Sequence, residues 1–118
     1  SIRVYDIIMQ NTDPKLVAQQ LDIGNMYGGG GRALDLLKQY PGRFELMHVK
    51  DEIKSESEHG GWESSILGVG VIGTKEVIDI GLKSGGTKYF IIEQESYQGK
   101  APLDAMKEDL AIMKKWGY

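Results

Sequence analysis

The chain has 118 residues, a size suited to one domain, with 14 basic and 17 acidic residues and a formal net charge of -3. No basic run or basic–aromatic interleaving is present, so the footprint of a nucleic-acid binder is missing, and no apolar run reaches the length that crosses a bilayer. Cysteine is absent, which excludes disulfides and thiolate metal sites and leaves His, Asp and Glu as the strong ligands.

In chain order, the first six residues lack the features of a signal peptide. Tyr5 to Gln10 predicts a short helix, stopped by Asn11-Thr12-Asp13-Pro14, where Asp before Pro suits a cap with Pro at the first helical position. Val17 to Asn25 reads as extended and ends in Leu21-Asp22-Ile23-Gly24-Asn25, after which Gly28 to Gly31 breaks the chain. Ala33, Leu36, Leu37 and Tyr40 recur at helical spacing before a Pro41-Gly42 stop. Phe44 to Lys50 predicts a strand, and residues 51–65 a polar loop from their turn and charge content. Thr74 is placed to cap a helix through Val77, Ile78, Gly81 and Leu82, closed by Gly85-Gly86. Tyr89 to Gln94 is the strongest strand pattern, and Leu103, Met106, Leu110 and Met113 mark one face of a last helix opened by Pro102 and Asp104.

Strands alternating with helices require parallel pairing and right-handed crossovers, so the fold class is α/β. Strand side chains alternate between faces, and that period sorts the polar residues. Glu93 shares a face with Tyr89, Ile91 and Glu95; His48 with Leu46 and Lys50; Asp22 with Ala18 and Gln20. Each strand therefore carries one potential metal ligand near its C-terminal end, with aliphatic residues on the opposite face. Taken singly, each has a plainer reading: Asp22 as a turn former, His48 as a core histidine, Glu93 as a solvated carboxylate. Three such residues at equivalent positions are harder to explain that way.

The run Phe44 to Asp51 (FELMHVKD), Leu21-Asp22, the Leu67 to Ile72 segment (LGVGVI) and Tyr89 to Glu95 (YFIIEQE) together resemble the xylose isomerase-like sugar phosphate isomerase/epimerase family. The segments correspond to its HxKD strand, the preceding ligand strand, its LGxG segment and its final strand. The resemblance covers essentially the whole chain and implies a partial (β/α)8 TIM barrel, with residues 1–118 as its C-terminal portion supplying strands 6 to 8. Val69 and Gly73 depart from the acidic residues common in that family's LGxG segment.

What the resemblance implies about function is specific. Asp22, His48 and Glu93 are expected to bind a divalent ion (Mn2+, Mg2+ or Zn2+), with Glu93 also catalytic. Lys50 and Asp51 are expected to contact substrate, with a surface ion pair as the plainer alternative. The expected activity is isomerisation or epimerisation of a small sugar or polyol through an enediolate. The alternatives are a dehydratase reaction, as in inosose dehydratases of the same family, and a non-catalytic α/β binding module. A closed barrel takes about 250 residues. The chain alone is therefore expected to be inactive and to need the N-terminal half of the barrel or a partner chain. The expected compartment is the cytoplasm, with no nucleic-acid or membrane partner. The glycine run lacks GxGxxG and GK[ST] spacing and reads as a flexible loop. His59 reads as solvated, Trp62 as either a lid over a sugar or loop packing, and Asp109 as an ordinary solvated helix charge.

Overall fold

Arg3 and Asp6 set where the chain first becomes regular. In the structure, a computed structural model that describes residues 2–118 and so leaves Ser1 outside, helix α1 (Val4–Gln10) starts at a reciprocal cap. The Arg3 backbone N–H and guanidinium both donate to the Asp6 carboxylate, which also accepts the Tyr40 hydroxyl at 2.7 Å. Asp13-Pro14 caps a single turn rather than a helix: Leu16 and Val17 N–H both return to the Asp13 carbonyl, and the chain then extends.

Strand β1 (Gln19–Asp22) is shorter than the extended reading of residues 17–25, because Asp22 turns the chain into helix α2 (Ile23–Gly28) by accepting the Asn25 N–H. Helix α3 (Ala33–Gln39), strand β2 (Phe44–Val49) and helix α4 (Thr74–Ile80) follow their apolar spacing. Gly73, at φ 72°, precedes α4 as its cap, and Thr74 sits inside the helix. A π-helical turn, Gly81–Gly85, continues α4. A Cβ at Gly81 would fall 2.9 Å from Met47 Cε, so only glycine lets this wide turn lie against the sheet.

The polar segment after β2 is not a loop. It forms an antiparallel hairpin of β3 (Asp51–Lys54) and β4 (Trp62–Ser65), with Glu52 opposite Ser64 and Lys54 opposite Trp62. Its buried residues are Asp51, Glu52, Ser64 and Ser65, so the apolar alternation that usually signals a strand is absent. Strand β5 (Tyr89–Ile92) and helix α5 (Pro102–Trp116) complete the chain. The buried line of α5 is Ala105, Asp109 and Met113, whereas Leu103 and Leu110 are 67% and 48% exposed. Asp109 is thus not a solvated charge: it is fully buried, and its carboxylate accepts the Leu67 N–H at 2.9 Å. Burial pushes its pKa up, with the Leu67 amide opposing.

The main sheet has the order β1-β2-β5, all parallel, with Asp22 beside His48 and His48 beside Ile91. One face carries Leu21, Met47 and Val49, which are buried with Leu36, Leu37, Val77 and Ile78 from the covering helices. The other face is open, with Tyr89 60% and Ile91 39% exposed. No helix among the described residues is long and apolar enough to cross a membrane.

Candidate metal centre

Parallel pairing in register sets Asp22 and His48 side by side at the end of the open sheet face. Glu93 follows Ile91 by two residues and shares that face one pleat beyond. Its backbone N–H donates to the Val49 carbonyl, which keeps the chain beside β2 after the strand ends. As a result His48 Nδ1 lies 3.0 Å from Glu93 Oε2 and 3.6 Å from Asp22 Oδ2. One ligand atom from each of the three residues lies within 4.8 Å of the others.

Each member is held from behind. Asp22 accepts both the backbone N–H and the side-chain amide of Asn25, at 2.8 and 2.7 Å. Burial disfavours its charge, but the Asn25 amide and the nearby Lys50 ammonium outweigh that and lower its pKa. His48 uses its other ring nitrogen, Nε2, to meet the side-chain amide of Gln20. Lys50 has no exposed side-chain surface, and its ammonium lies 3.0 Å from Glu93 Oε2, 3.4 Å from Asp22 Oδ2 and 2.7 Å from Glu95 Oε2. Burial works against that charge, yet hydrogen bonds to Glu95 and Glu93 and the field of Asp22 raise its pKa above the usual lysine value. Gly24 makes the packing feasible, since a Cβ there would fall 2.6 Å from Lys50 Cδ.

The donor set fits a divalent cation. Two carboxylates and an imidazole without sulfur suit Mn2+, Mg2+ or Zn2+. Ligands at about 2.1 Å and right angles around an ion stand about 3 Å apart, close to the separations His48 makes here. Glu93 Oε2 is also buried, and the groups that meet it are the His48 ring and the Lys50 ammonium, so its negative charge points into the cluster where a cation would sit.

Of the other expected site residues, Lys50 joins this cluster and Asp51 does not. Asp51 is 1% exposed, and its carboxylate accepts the N–H groups of Glu52, Gly68, Gly70 and Ile72 at 2.8–3.2 Å. It shapes the 67–72 turn, helped by Asp109 at Leu67, and has no oxygen turned toward the cluster. Gln20 and Asn25 were not among the expected site residues. Gln20 was findable as the same-face neighbour of Asp22, and Asn25 as the third residue after a capping Asp.

No family model matches the chain. It is 31% identical over 100 residues to an inosose dehydratase of Bacillus cereus, an alignment that covers 75% of this chain and 34% of that protein. It is 32% identical over 101 residues to inosose dehydratase 2 from another strain of that species, again over 75% and 34% of the two chains. A crystal structure of a sugar phosphate isomerase/epimerase from Parabacteroides distasonis superposes with a TM-score of 0.74 at 20% identity, over 97% of this chain and 36% of that one. A xylose isomerase domain protein from Planctomyces limnophilus gives 0.64 at 23% identity, over 95% and 40%. The chain thus spans about a third of the length of the curated relatives, 34% in each case. Its fold is part of a TIM barrel, as the strand–helix alternation and the motif resemblance implied.

Proposed function

From the kinship of this chain with the xylose isomerase-like sugar phosphate isomerases and epimerases, we propose that residues 1–118 supply the C-terminal strand–helix units of a barrel that isomerises or epimerises a small sugar or polyol. The observation that carries this reading is the convergence of Asp22, His48 and Glu93 at the C-terminal end of one sheet face, the end where barrel enzymes build their sites. Asp22, His48 and Glu93 would hold a divalent ion, which when bound supplies Lewis-acid stabilisation of negative charge on a substrate carbonyl oxygen.

The chain's own residues do the rest. Glu93 takes the proton from the carbon next to the carbonyl, the general acid–base role; in isomerisation it returns that proton to the former carbonyl carbon as the adjacent hydroxyl proton passes to the former carbonyl oxygen, and in epimerisation the same carbon is reprotonated from its other face. Asn25 keeps Asp22 aimed at the cluster by binding both of its oxygens. Lys50 balances part of the negative charge of three carboxylates and so keeps Glu93 near the centre. A glutamate from another barrel strand would act on the opposite face of the substrate. A dehydratase reaction begins with the same proton abstraction, and the names of the sequence relatives favour it as the second reading.

Ion binding tests the centre directly. Mn2+ titrated into the chain, followed by electron paramagnetic resonance, should show one site that Asp22→Ala or His48→Ala removes. Gln20 gives a finer check: its amide nitrogen faces His48 Nε2 here, whereas a ligating Nδ1 puts the proton on Nε2, and the Gln20 amide accepts that proton by turning its oxygen to the ring. Gln20→Leu should weaken Mn2+ by about tenfold or more, as loss of an outer-shell partner does, and Gln20→Glu should restore it. Equal affinity in all three proteins would remove Gln20 from the site.

The open face yields an expectation about assembly. Tyr89 and Ile91 are exposed there, and β1 and β5 are sheet edges. Such surfaces favour association. Sedimentation of the chain should reveal self-association or capture of the remaining barrel units. A dispersed monomer at high concentration would contradict this reading.

A further inference from the structure

Lys50 stands between β2 and the β3–β4 hairpin, two residues after His48, so strand alternation puts both side chains on the open sheet face. Its stem runs in a closed slot. No part of the side chain is exposed, and Gly24 and Glu52 close in on it, since a Cβ at Gly24 would fall 2.6 Å from both Lys50 Cδ and Glu52 Oε1. A stem held this way leaves freedom only at the tip, where the ammonium moves among the carboxylates it meets.

The two oxygens that face His48 also face this ammonium. Asp22 Oδ2 lies 3.6 Å from His48 Nδ1 and 3.4 Å from Lys50 Nζ, and Glu93 Oε2 lies 3.0 Å from each. Both carboxylates belong to the group that fits a divalent ion. An ammonium and a divalent ion on the same oxygens are like charges close together in a part-buried place, where screening is weak. Lys50 therefore competes with an ion for the charge of Asp22 and Glu93.

The third contact of the ammonium, with Glu95, differs in kind. It is the shortest of the three, at 2.7 Å to Oε2, and it lies outside the ligand group. The Glu95 side chain is 66% exposed, so its carboxylate keeps much of its hydration. Its backbone, by contrast, is anchored. The N–H groups of Glu95 and Ser96 donate to Ser64 Oγ at 2.7 and 2.8 Å, and Ser64 is buried in the hairpin. The Gln98 amide donates to the Ser64 carbonyl at 3.0 Å, and the Tyr97 hydroxyl to the Gln94 carbonyl at 2.8 Å. Glu95 thus offers the ammonium a fixed, partly solvated partner at the rim of the cluster, where pairing carries little desolvation cost.

We propose that Lys50 is the internal counter-ion of the metal centre, that Glu95 is its resting place, and that the pair sets how tightly the centre holds its ion. Before an ion is bound the ammonium is shared among three carboxylates. When Asp22 and Glu93 take an ion, Lys50 gives up both and stays on Glu95. The inference rests on the reading of Asp22, His48 and Glu93 as a metal centre, and it adds control of that centre by two residues outside the ligand group. The two residues act in opposite directions. Removing the Lys50 charge deletes the competitor and tightens ion binding. Removing the Glu95 charge takes away the ammonium's alternative partner and loosens it.

Mn2+ titrations of the unmodified chain, Lys50→Met, Glu95→Gln and the double variant, followed by electron paramagnetic resonance, test this. Lys50→Met should bind Mn2+ about tenfold or more tighter and Glu95→Gln about tenfold weaker, within the usual span of coupling between neighbouring sites. In the Lys50→Met background, Glu95→Gln should change the affinity by about twofold or less, because Glu95 then has no ammonium to receive. Damaged packing weakens a site, so a gain in affinity is a result that a merely structural Lys50 would not give. Lys50→Gln, neutral yet able to donate to the same carboxylates, replaces Lys50→Met if circular dichroism shows that variant unfolded. Affinity that is equal or lower in the neutral Lys50 variant, or unchanged in Glu95→Gln, overturns the proposal. A Glu95→Gln loss that persists in the neutral background also overturns it, since Glu95 would then act on the ion by its own field. Mn2+ bound only when Lys50 is neutral supports it. Mn2+ bound by none of the proteins rejects the metal centre and this inference with it, whereas equal binding by all of them rejects the counter-ion alone.

Discussion

Glu93→Gln in the intact barrel is expected to lower turnover by about 10²–10⁴-fold, the range for removing a general acid–base group, while the fold survives. Gln matches Glu in size, and the Glu93 backbone N–H would keep its bond to the Val49 carbonyl. What is lost is chemistry at Oε2, the buried oxygen that lies 3.0 Å from both His48 Nδ1 and Lys50 Nζ. An amide cannot accept the substrate's proton, and its oxygen is a poorer donor to a hard cation, so weaker ion binding should add to the deficit. Exchange of solvent deuterium into a ketose, measured with ion affinity and far-ultraviolet circular dichroism, separates these contributions. Normal exchange by a folded variant would take Glu93 out of the mechanism. The 118-residue chain alone is expected to give no exchange, since the proposed second glutamate comes from another strand. Robust exchange by the chain would show that it needs no opposing group.

The second large effect is expected at Lys50. Its side chain is fully buried and meets three carboxylates, of which Asp22 and Glu93 are 19% and 32% exposed and Glu95 is 66% exposed. Lys50→Met keeps the length of the side chain but leaves Asp22 and Glu93 without a counter-charge. Removing one partner of a buried ion cluster costs about 3–5 kcal/mol. The low end applies here, because Glu95 is screened by solvent and can turn outward.

The sign with pH follows from the two shifts. The Asp22 pKa is lowered by folding, so its contribution is present above its unfolded value, about 3.9, and fades as pH falls through the folded value. The Lys50 pKa is raised, so its contribution is complete below about 10.4 and fades as pH rises through the folded value. The stability gap between the two proteins should therefore be widest between about pH 4 and pH 10 and narrow at both extremes. Mn2+ should narrow it at neutral pH by restoring positive charge among the carboxylates. Urea unfolding across that range, with and without Mn2+, checks each point. A variant as stable as the parent at pH 7 would mean that the carboxylates relax into solvent and that Lys50 does not hold the cluster together.

The sequence by itself determined what depends on short-range periodicity. A two-residue alternation assigned Asp22, His48 and Glu93 to one face of their strands, and the three meet there because parallel pairing sets Asp22 beside His48 and brings Glu93 onto the same face one pleat further along. Apolar spacing likewise marked α3, α4 and the three sheet strands, since burying a helix or strand face is what makes it regular. Tertiary structure alone decided the rest, and the reason is the same in each instance: partners distant in sequence set what a polar side chain does. Asp51 reads as a neighbour of Lys50 at a strand end, but amides 17 to 21 residues away claim its carboxylate and turn it from the cluster. Asp109 reads as one more charge on a surface helix, until the Leu67 amide, 42 residues away, shows why it is buried. The β3–β4 hairpin buries acids and serines in place of aliphatics, so no local pattern announced it, and with it went the Ser64 hydroxyl that anchors Glu95. Hydrophobic periodicity is written along the chain, whereas the destination of a buried polar group depends on which donors the finished fold brings to it.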